Sequence, residues 1–309
     1  MSLIILTKSP VRSFEGFVRN IKNVVKFLLG RRRGPDVVDE SLLKGLRELK
    51  FDHKYNVKEK EVGIGDIVYV NRSFEALRWA IEAKKEGKIK KLIVGPNFVV
   101  IPDEQNEIMS NPNIDKIIIP CSWVTDFWLS VRPGLKDKLA IWPAGVDLYP
   151  VSSQKKDKVL VYQKNADQIL LQNIIDLLHK KNVSYEVVTY GSYEHKKYLS
   201  LLDRSKMVIF LSKTESQGIA MCEAWMKNVP TLVWDCGRWE HGQYIWKSEK
   251  ISAPYLTEQC GCFFKDFKDM ERVFDDFLAD LSHFSPRNYT ESNFSNKVVA
   301  ERFLRSFVI

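Results

Sequence analysis

The chain has no apolar run approaching the roughly 20 residues that a bilayer crossing requires. Its opening stretch, Met1-Ser2-Leu3-Ile4-Ile5-Leu6-Thr7-Lys8, is too short for a signal h-region and carries its charge after the apolar residues, so it reads as a first β-strand. A cytoplasmic location is the expectation. Cysteine is sparse: five in 309 residues, an odd number without framework spacing, which suits free thiols in a reducing compartment. Cys260-Gly261-Cys262 is a close pair, but no second pair or histidine cluster accompanies it, and no metal site is expected. Low-complexity tracts and repeats of fixed period are missing too, which argues against long disorder and solenoids. A net charge of +8 suggests nucleic acid as one partner, yet no zinc finger, helix-turn-helix or stacking motif accompanies it, so no nucleic-acid partner is expected.

What is present is globular. Hydrophobic residues make up 45% and charged residues 28%, and eight Trp and seventeen Phe supply bulk for real cores. Short Val/Ile/Leu-rich runs alternate with helical patterns, which predicts an α/β chain with parallel sheets covered on both faces. In the first half the expected strands are Ser2–Leu6, Asp66–Val70, Lys91–Val94, Val99–Ile101 and Lys116–Ile119, with helices over Phe14–Leu29, Ser41–Leu49, Phe74–Glu86 and Trp123–Val131. In the second half strands Val159–Tyr162, Tyr185–Tyr190, Met207–Leu211 and Thr231–Trp234 alternate with helices near Asp167–Lys180, Glu194–Leu202 and Gln217–Lys227. A boundary falls at Pro143-Ala144-Gly145-Val146-Asp147, followed by the polar link Ser152–Asp157. The expected organisation is therefore a Rossmann-like domain over residues 1–147, a second over 148–290, and a C-terminal helical segment, 291–309, packing back toward the first. Two such sheets would face a cleft at their carboxyl ends, where open α/β folds bind ligands.

The chemistry concentrates after the strand Met207–Leu211. A short loop delivers Glu215, and Ser216-Gln217-Gly218 opens a helix whose free amides and positive dipole end suit a diphosphate. Gly218 lacks a Cβ and admits a close approach. Glu223 follows Glu215 by eight residues, about 12 Å along a continuous helix, a span that suits a ligand with a sugar at one end and a ribose at the other.

This layout resembles the donor site of retaining GT-B glycosyltransferases, glycosyltransferase family 4 (group 1) in particular. The residues that carry the likeness are Ser212, Glu215, Gln217-Gly218, Glu223-Ala224 and Pro230, and Pro143–Asp147 is similar to the family's Pro-Asn-Gly-Val-Asp hinge. The likeness is firm over residues 140–265 and topological over 1–139. It implies a GT-B fold and a hexosyl transfer, with retention, from a nucleotide sugar such as a UDP- or GDP-sugar to a glycan or lipid-linked acceptor, with no cofactor. It places Glu215 at the transferred sugar and Glu223 at the donor ribose, with Ser216, Gln217, Gly218 and Ile219 around the phosphates and sugar. The chain has no Asp-x-Asp string of the kind that holds a metal in the other main transferase fold, so transfer without metal is the expectation.

One departure matters. The family's Arg after the first strand of the second domain is missing, and Lys164 is the only cation in Gln163-Lys164-Asn165-Ala166-Asp167-Gln168. Lys164 alone would serve the diphosphate as a point charge; a catalytically idle GT-B scaffold is the competing outcome. Tyr190 and Gly191 are candidates for the base pocket, and Asn71, Asn97 and Ser122, at first-domain strand ends, for the acceptor, although strand ends commonly carry such residues as turns. His53 is expected exposed in a charged loop, and His241 at the surface.

The basic residues crowd into the first 33 positions, where eight Lys/Arg oppose Glu15 alone. Phe14, Phe17, Val18, Ile21, Val24, Val25 and Leu28 recur at helical spacing, flanked by Arg12, Arg19, Lys22 and Lys26 and followed by Arg31-Arg32-Arg33. The apolar face suits packing under the first sheet, or a peripheral seat on an anionic membrane through residues 12–33, where each cation contributes about 1 kcal/mol. On the membrane reading, the protein should sediment with anionic vesicles at low salt, and an Arg31/Arg32/Arg33→Gln variant should release. Wild type left in the supernatant points to a soluble acceptor.

Overall fold

The computed structural model describes residues 2–11 and 34–309, so the helix expected over Phe14–Leu29 and the cations Arg12 to Arg33 lie outside the described residues. The chain divides into two compact units, Met1–Gly145 with Asn296–Ile309, and Val146–Ser295. It therefore passes between them twice, at Gly145–Val146 and at Ser295–Asn296. Among the described residues no helix is long and apolar enough to cross a membrane.

The first unit is built on a six-stranded sheet in the order β2-β1-β3-β4-β5-β6. Its strands are β1 (Leu3–Leu6), β2 (His53–Tyr55), β3 (Ile67–Val70), β4 (Lys91–Val94), β5 (Lys116–Ile119) and β6 (Leu139–Ile141), all paired in parallel. β1 and β3 are buried along their whole length, as continuous apolar runs in a doubly covered sheet must be. Two strands of this unit escaped the sequence pattern, as did β11 to β13 (Arg238–His241, Tyr244–Lys247 and Gly261–Phe264) of the second. β2 is an edge strand with the sequence His-Lys-Tyr, which has no apolar run, and β6 is only three residues long and half exposed. His53 thus sits on a strand, not in a loop, with Nδ1 2.9 Å from the Phe51 carbonyl. Conversely Val99–Ile101 is not a strand. The Val100 amide donates to Glu104 and its carbonyl accepts from Trp128 Nε1, so side chains, not a ladder, satisfy this backbone.

Helix Gly34–Glu48 already includes the seven residues ahead of the expected start at Ser41 and packs against the C-terminal helix Asn296–Phe307. The contact is close because Gly45 lets it be: a Cβ there would lie 2.0 Å from the Asn296 carbonyl oxygen and 2.6 Å from Ala300 Cβ. Val299, Phe303, Leu304 and Phe307 are buried along this helix, and Phe303 meets Tyr69 and Trp142 edge-on at 5.1 and 5.4 Å. Gly145 plays a similar part beside Asn296, whose Oδ1 would lie 2.7 Å from an added Cβ.

The second unit carries a five-stranded parallel sheet in the order β13-β10-β9-β7-β8. These strands are β7 (Lys158–Gln163), β8 (Tyr185–Thr189), β9 (Ser205–Leu211), β10 (Thr231–Trp234) and β13 (Gly261–Phe264). Between β10 and β13 an antiparallel ribbon, β11 (Arg238–His241) and β12 (Tyr244–Lys247), stands outside the sheet. Aromatic residues Tyr162, Tyr198, Phe210 and Trp225 fill one face of the sheet, and Ile174, Leu178, Ile209, Phe264 and Phe274 the other. Asp167 caps helix Gln168–Lys180 by accepting from the Ile169 and Leu170 amides, and Asp266 caps Phe267–Ala279.

Gly45 offers a direct test of the first unit. Alanine improves helix propensity by about 1 kcal/mol, but overpacking against a backbone carbonyl costs about 1–3 kcal/mol, so crowding wins. Gly45→Ala should lower the Tm by several degrees, read by calorimetry; an unchanged or raised Tm contradicts the close packing.

Candidate functional site

In the second unit the chain runs from β7 to β8 on one side of β7, and then places β9 on the other side. Strand order therefore reverses between β7 and β9, and at such a point the carboxyl ends of a parallel sheet open a crevice for ligands. The sequence puts Lys164 directly after β7 and Ser212 directly after β9, so the loops that leave this point carry the candidate groups. Lys164 Nζ lies 2.8 Å from Glu215 Oε1, and Ser212 Oγ lies 3.1 Å from the same oxygen. The backbone fixes both loops, because the Lys164 amide donates to the Leu211 carbonyl and the Glu215 amide to that of Ile251. From β8, the third adjacent strand, Tyr190 puts its ring 5.0 Å below the Lys164 ammonium, a cation–π contact. Lys164, Tyr190 and Glu215 are thus brought together. Gly191, with φ +81°, forms the exposed turn after Tyr190.

The helix beyond Glu215 begins later than its sequence pattern predicts. It spans Ile219–Met226, so Ser216 and Gln217 precede it and the amides at its first turn are those of Ile219, Ala220 and Met221. Gly218 sits at the cap with φ +60°, and nothing lies within 4 Å of where its Cβ would be. The glycine is therefore required by the left-handed backbone, not by crowding. Because Glu215 lies ahead of the helix, its separation from Glu223 is not the rise of one continuous helix.

Glu223 is 7% exposed and faces a group that the sequence reading passed over. His195 Nε2 lies 2.6 Å from Glu223 Oε1, and the Tyr149 hydroxyl donates to the same oxygen at 3.2 Å. His195 is the first residue of helix His195–Arg204, close behind Tyr190-Gly191. The signal available in the sequence was a histidine at a helix start on the same rim. Beside it, Tyr193 donates to the Tyr162 hydroxyl at 3.2 Å. Burial, with the nearby carboxylates adding to it, pushes the Tyr193 phenol up to about 12, so it stays a neutral wall of the site.

In the first unit Asn71 is fully buried. Its Nδ2 donates to Asp39 Oδ1 at 2.7 Å, and its Oδ1 accepts from the Asn97 backbone amide at 3.1 Å. Both ends are satisfied inside the protein, so Asn71 links two strand ends. Asn97 joins it, whereas Ser122 stands apart, exposed at the start of helix Ser122–Val131. Arg72, held at φ +56°, pairs with Asp39 at 2.8 Å and with Asp36. His241 is exposed and stacks on Trp239 within the ribbon. Cys260 and Cys262 are neutral thiols, which burial pushes up to about 12 and about 11. Among the described residues no group of three His, Cys, Asp or Glu is placed to hold a metal ion.

No family model matches the chain, and no curated protein matches it in sequence. Solved structures do match. One is the lipopolysaccharide outer core galactosyltransferase WaaB, at TM-score 0.54 and 13% identity over 98% of each chain. Another is a chain of the GtfA/B complex, at TM-score 0.54 and 11% identity, covering 80% of this chain and 58% of that one. A third is a TarM variant from S. aureus in complex with Fondaparinux, alpha-GlcNAc-glycerol and UDP, at TM-score 0.52 and 13% identity, covering 81% and 57%. The fold is GT-B. This chain spans less than two thirds of the length of the GtfA/B and TarM chains, and a GT-B fold at such low identity is compatible with more than one activity.

Asp39 yields a pH test. Burial, only partly offset by Arg72 and Asn71, raises its carboxyl from 3.8 to about 6. A raised acid favours the folded state below about pH 3.8, and that contribution, on the order of 2–3 kcal/mol, is lost as pH rises through 6. The stability of wild type minus that of Asp39→Asn, by urea unfolding, should fall between pH 4 and pH 6.5 and then level. A difference that rises over this range contradicts the burial argument.

Proposed function

We propose that the chain is a glycosyltransferase that takes a hexose from a nucleotide sugar bound in the second unit and passes it to a glycan or lipid-linked acceptor. The observation that carries this is the Lys164–Glu215 pair at the reversal of strand order, with Glu223 four residues into the helix that follows. In this reading Lys164 and the amides of Ile219 and Ala220 meet the charge that develops on the departing diphosphate. Glu215 faces the transferred sugar, Glu223 the ribose, and Tyr190 the base. Transfer breaks the bond between the anomeric carbon and the diphosphate and forms one to an acceptor hydroxyl, whose proton passes to the departing diphosphate. Retention and metal independence follow from the resemblance to family 4. Support for the substrate classes comes from two matching structures: one is a lipopolysaccharide galactosyltransferase, and the other holds UDP with alpha-GlcNAc-glycerol. Asn71 and Asn97 shape the acceptor side from within the first unit, and residues 12–33 are the proposed contact with an anionic membrane.

The idle-scaffold alternative has one observation in its favour: Lys164, alone on its loop, is already neutralised by Glu215. Calorimetry with UDP and GDP, with and without EDTA, separates the readings. Binding should survive EDTA, and Lys164→Ala should weaken it about tenfold or more, as loss of a charge-assisted contact does. Glu215→Gln should cut kcat about 100-fold while nucleotide affinity holds or rises, because Lys164 is then freed for phosphate. Binding without hydrolysis or transfer of UDP- or GDP-sugars supports the scaffold. Binding that EDTA abolishes contradicts the proposed site.

A further inference from the structure

We propose that His195 reads the ribose of the donor together with Glu223, so that the site distinguishes a ribonucleotide from its 2′-deoxy counterpart. This rests on the donor-site reading above and adds a residue which that reading does not require. A carboxylate as buried as Glu223 needs partners, and it has two, His195 Nε2 at 2.6 Å and the Tyr149 hydroxyl at 3.2 Å. Both bind Oε1. A carboxylate oxygen accepts, so His195 Nε2 carries the shared proton and Nδ1 is left to face a ligand, where it pairs with a hydroxyl as acceptor in a neutral ring or as donor in a protonated one.

The consequence is a pair of polar atoms, each able to bond a hydroxyl. Glu223 Oε2 and His195 Nδ1 make no hydrogen bond among the described residues, and they belong to one hydrogen-bonded unit. The His195 side chain is 24% exposed, so a ligand can reach it. Neighbouring groups are already committed. The Tyr198 hydroxyl donates to the Ala220 carbonyl at 2.7 Å, Tyr193 donates to Tyr162, and burial keeps the Cys222 thiol neutral. Two such atoms suit a vicinal diol, whose hydroxyls both donate and accept. A 2′-deoxyribose brings one hydroxyl and leaves one of the two atoms unpaired, a loss that sites built for hydroxyl recognition discriminate strongly.

The competing role is a structural staple between helices His195–Arg204 and Ile219–Met226. Calorimetry with UDP, GDP and their 2′-deoxy forms on wild type, His195→Phe and His195→Gln distinguishes them, with Tm measured for each. Wild type should prefer the ribonucleotide at least about tenfold. His195→Phe keeps the ring but neither nitrogen, so it should lower the Tm, since Glu223 loses a partner, and reduce the preference below about threefold. His195→Gln retains an N–H toward Glu223 and an adjacent acceptor, and should restore most of it. A folded His195→Phe protein that keeps the wild-type preference overturns the proposal, as does a folded His195→Gln protein that loses it. If the phenylalanine variant does not fold, wild type alone decides: equal affinity for the ribo and deoxy forms overturns it. Wild type that binds neither UDP nor GDP sinks the donor-site reading itself, and His195 with it.

Discussion

The geometry of the candidate site depends on a reversal in strand order. Because β8 lies on one side of β7 and β9 on the other, the loops leaving β7 and β9 diverge from neighbouring strand ends, and the space between them is where the Lys164 ammonium meets the Glu215 carboxylate. Half-burial makes this pair consequential. Each group is too enclosed to be hydrated as it would be at an open surface, so each orients the other. Ser212 and Tyr190 add a hydroxyl and an aromatic face to the same few ångströms, and main-chain hydrogen bonds to Leu211 and Ile251 hold the loops. Because the Lys164 ammonium already has Glu215 as its counter-charge, any incoming anion must compete with that carboxylate for it.

Around this pair the second unit uses aromatic bulk and neutral hydroxyls. Tyr149, Tyr162, Tyr193 and Tyr198 surround the Glu223 region, and burial holds the last three as protonated phenols. They supply donors and apolar walls without adding charge, which leaves the carboxylates and Lys164 as the groups that set the field. The first unit has a different economy: Asp39, Asn71, Arg72 and Asn97 form a closed polar network at its strand ends, with Asn71 satisfied at both ends of its amide. Closeness there comes from glycine, since both Gly45 and Gly145 lie where a Cβ would collide with Asn296.

The sequence by itself determined the α/β class and most of the strands, because continuous apolar runs such as Leu3-Ile4-Ile5-Leu6 and Met207-Val208-Ile209-Phe210-Leu211 are stable only inside a doubly covered sheet. The placing of Glu215, Gly218 and Glu223 between a strand and a helix was also legible, since their order and spacing is a local property of the chain. Strands β2 and β6 were not legible, being short, exposed edges whose pairing partners lie elsewhere in the chain. The helix start at Ile219 was hidden as well, because Gly218 takes a left-handed conformation that the apolar pattern does not encode. Above all, the meeting of His195 with Glu223 and of Lys164 with Glu215 joins residues 28 and 51 positions apart. No periodicity records such contacts. Only the crossing of strands β7, β8 and β9 brings their ends together, since the sheet, and not the local chain, decides which loops share a rim.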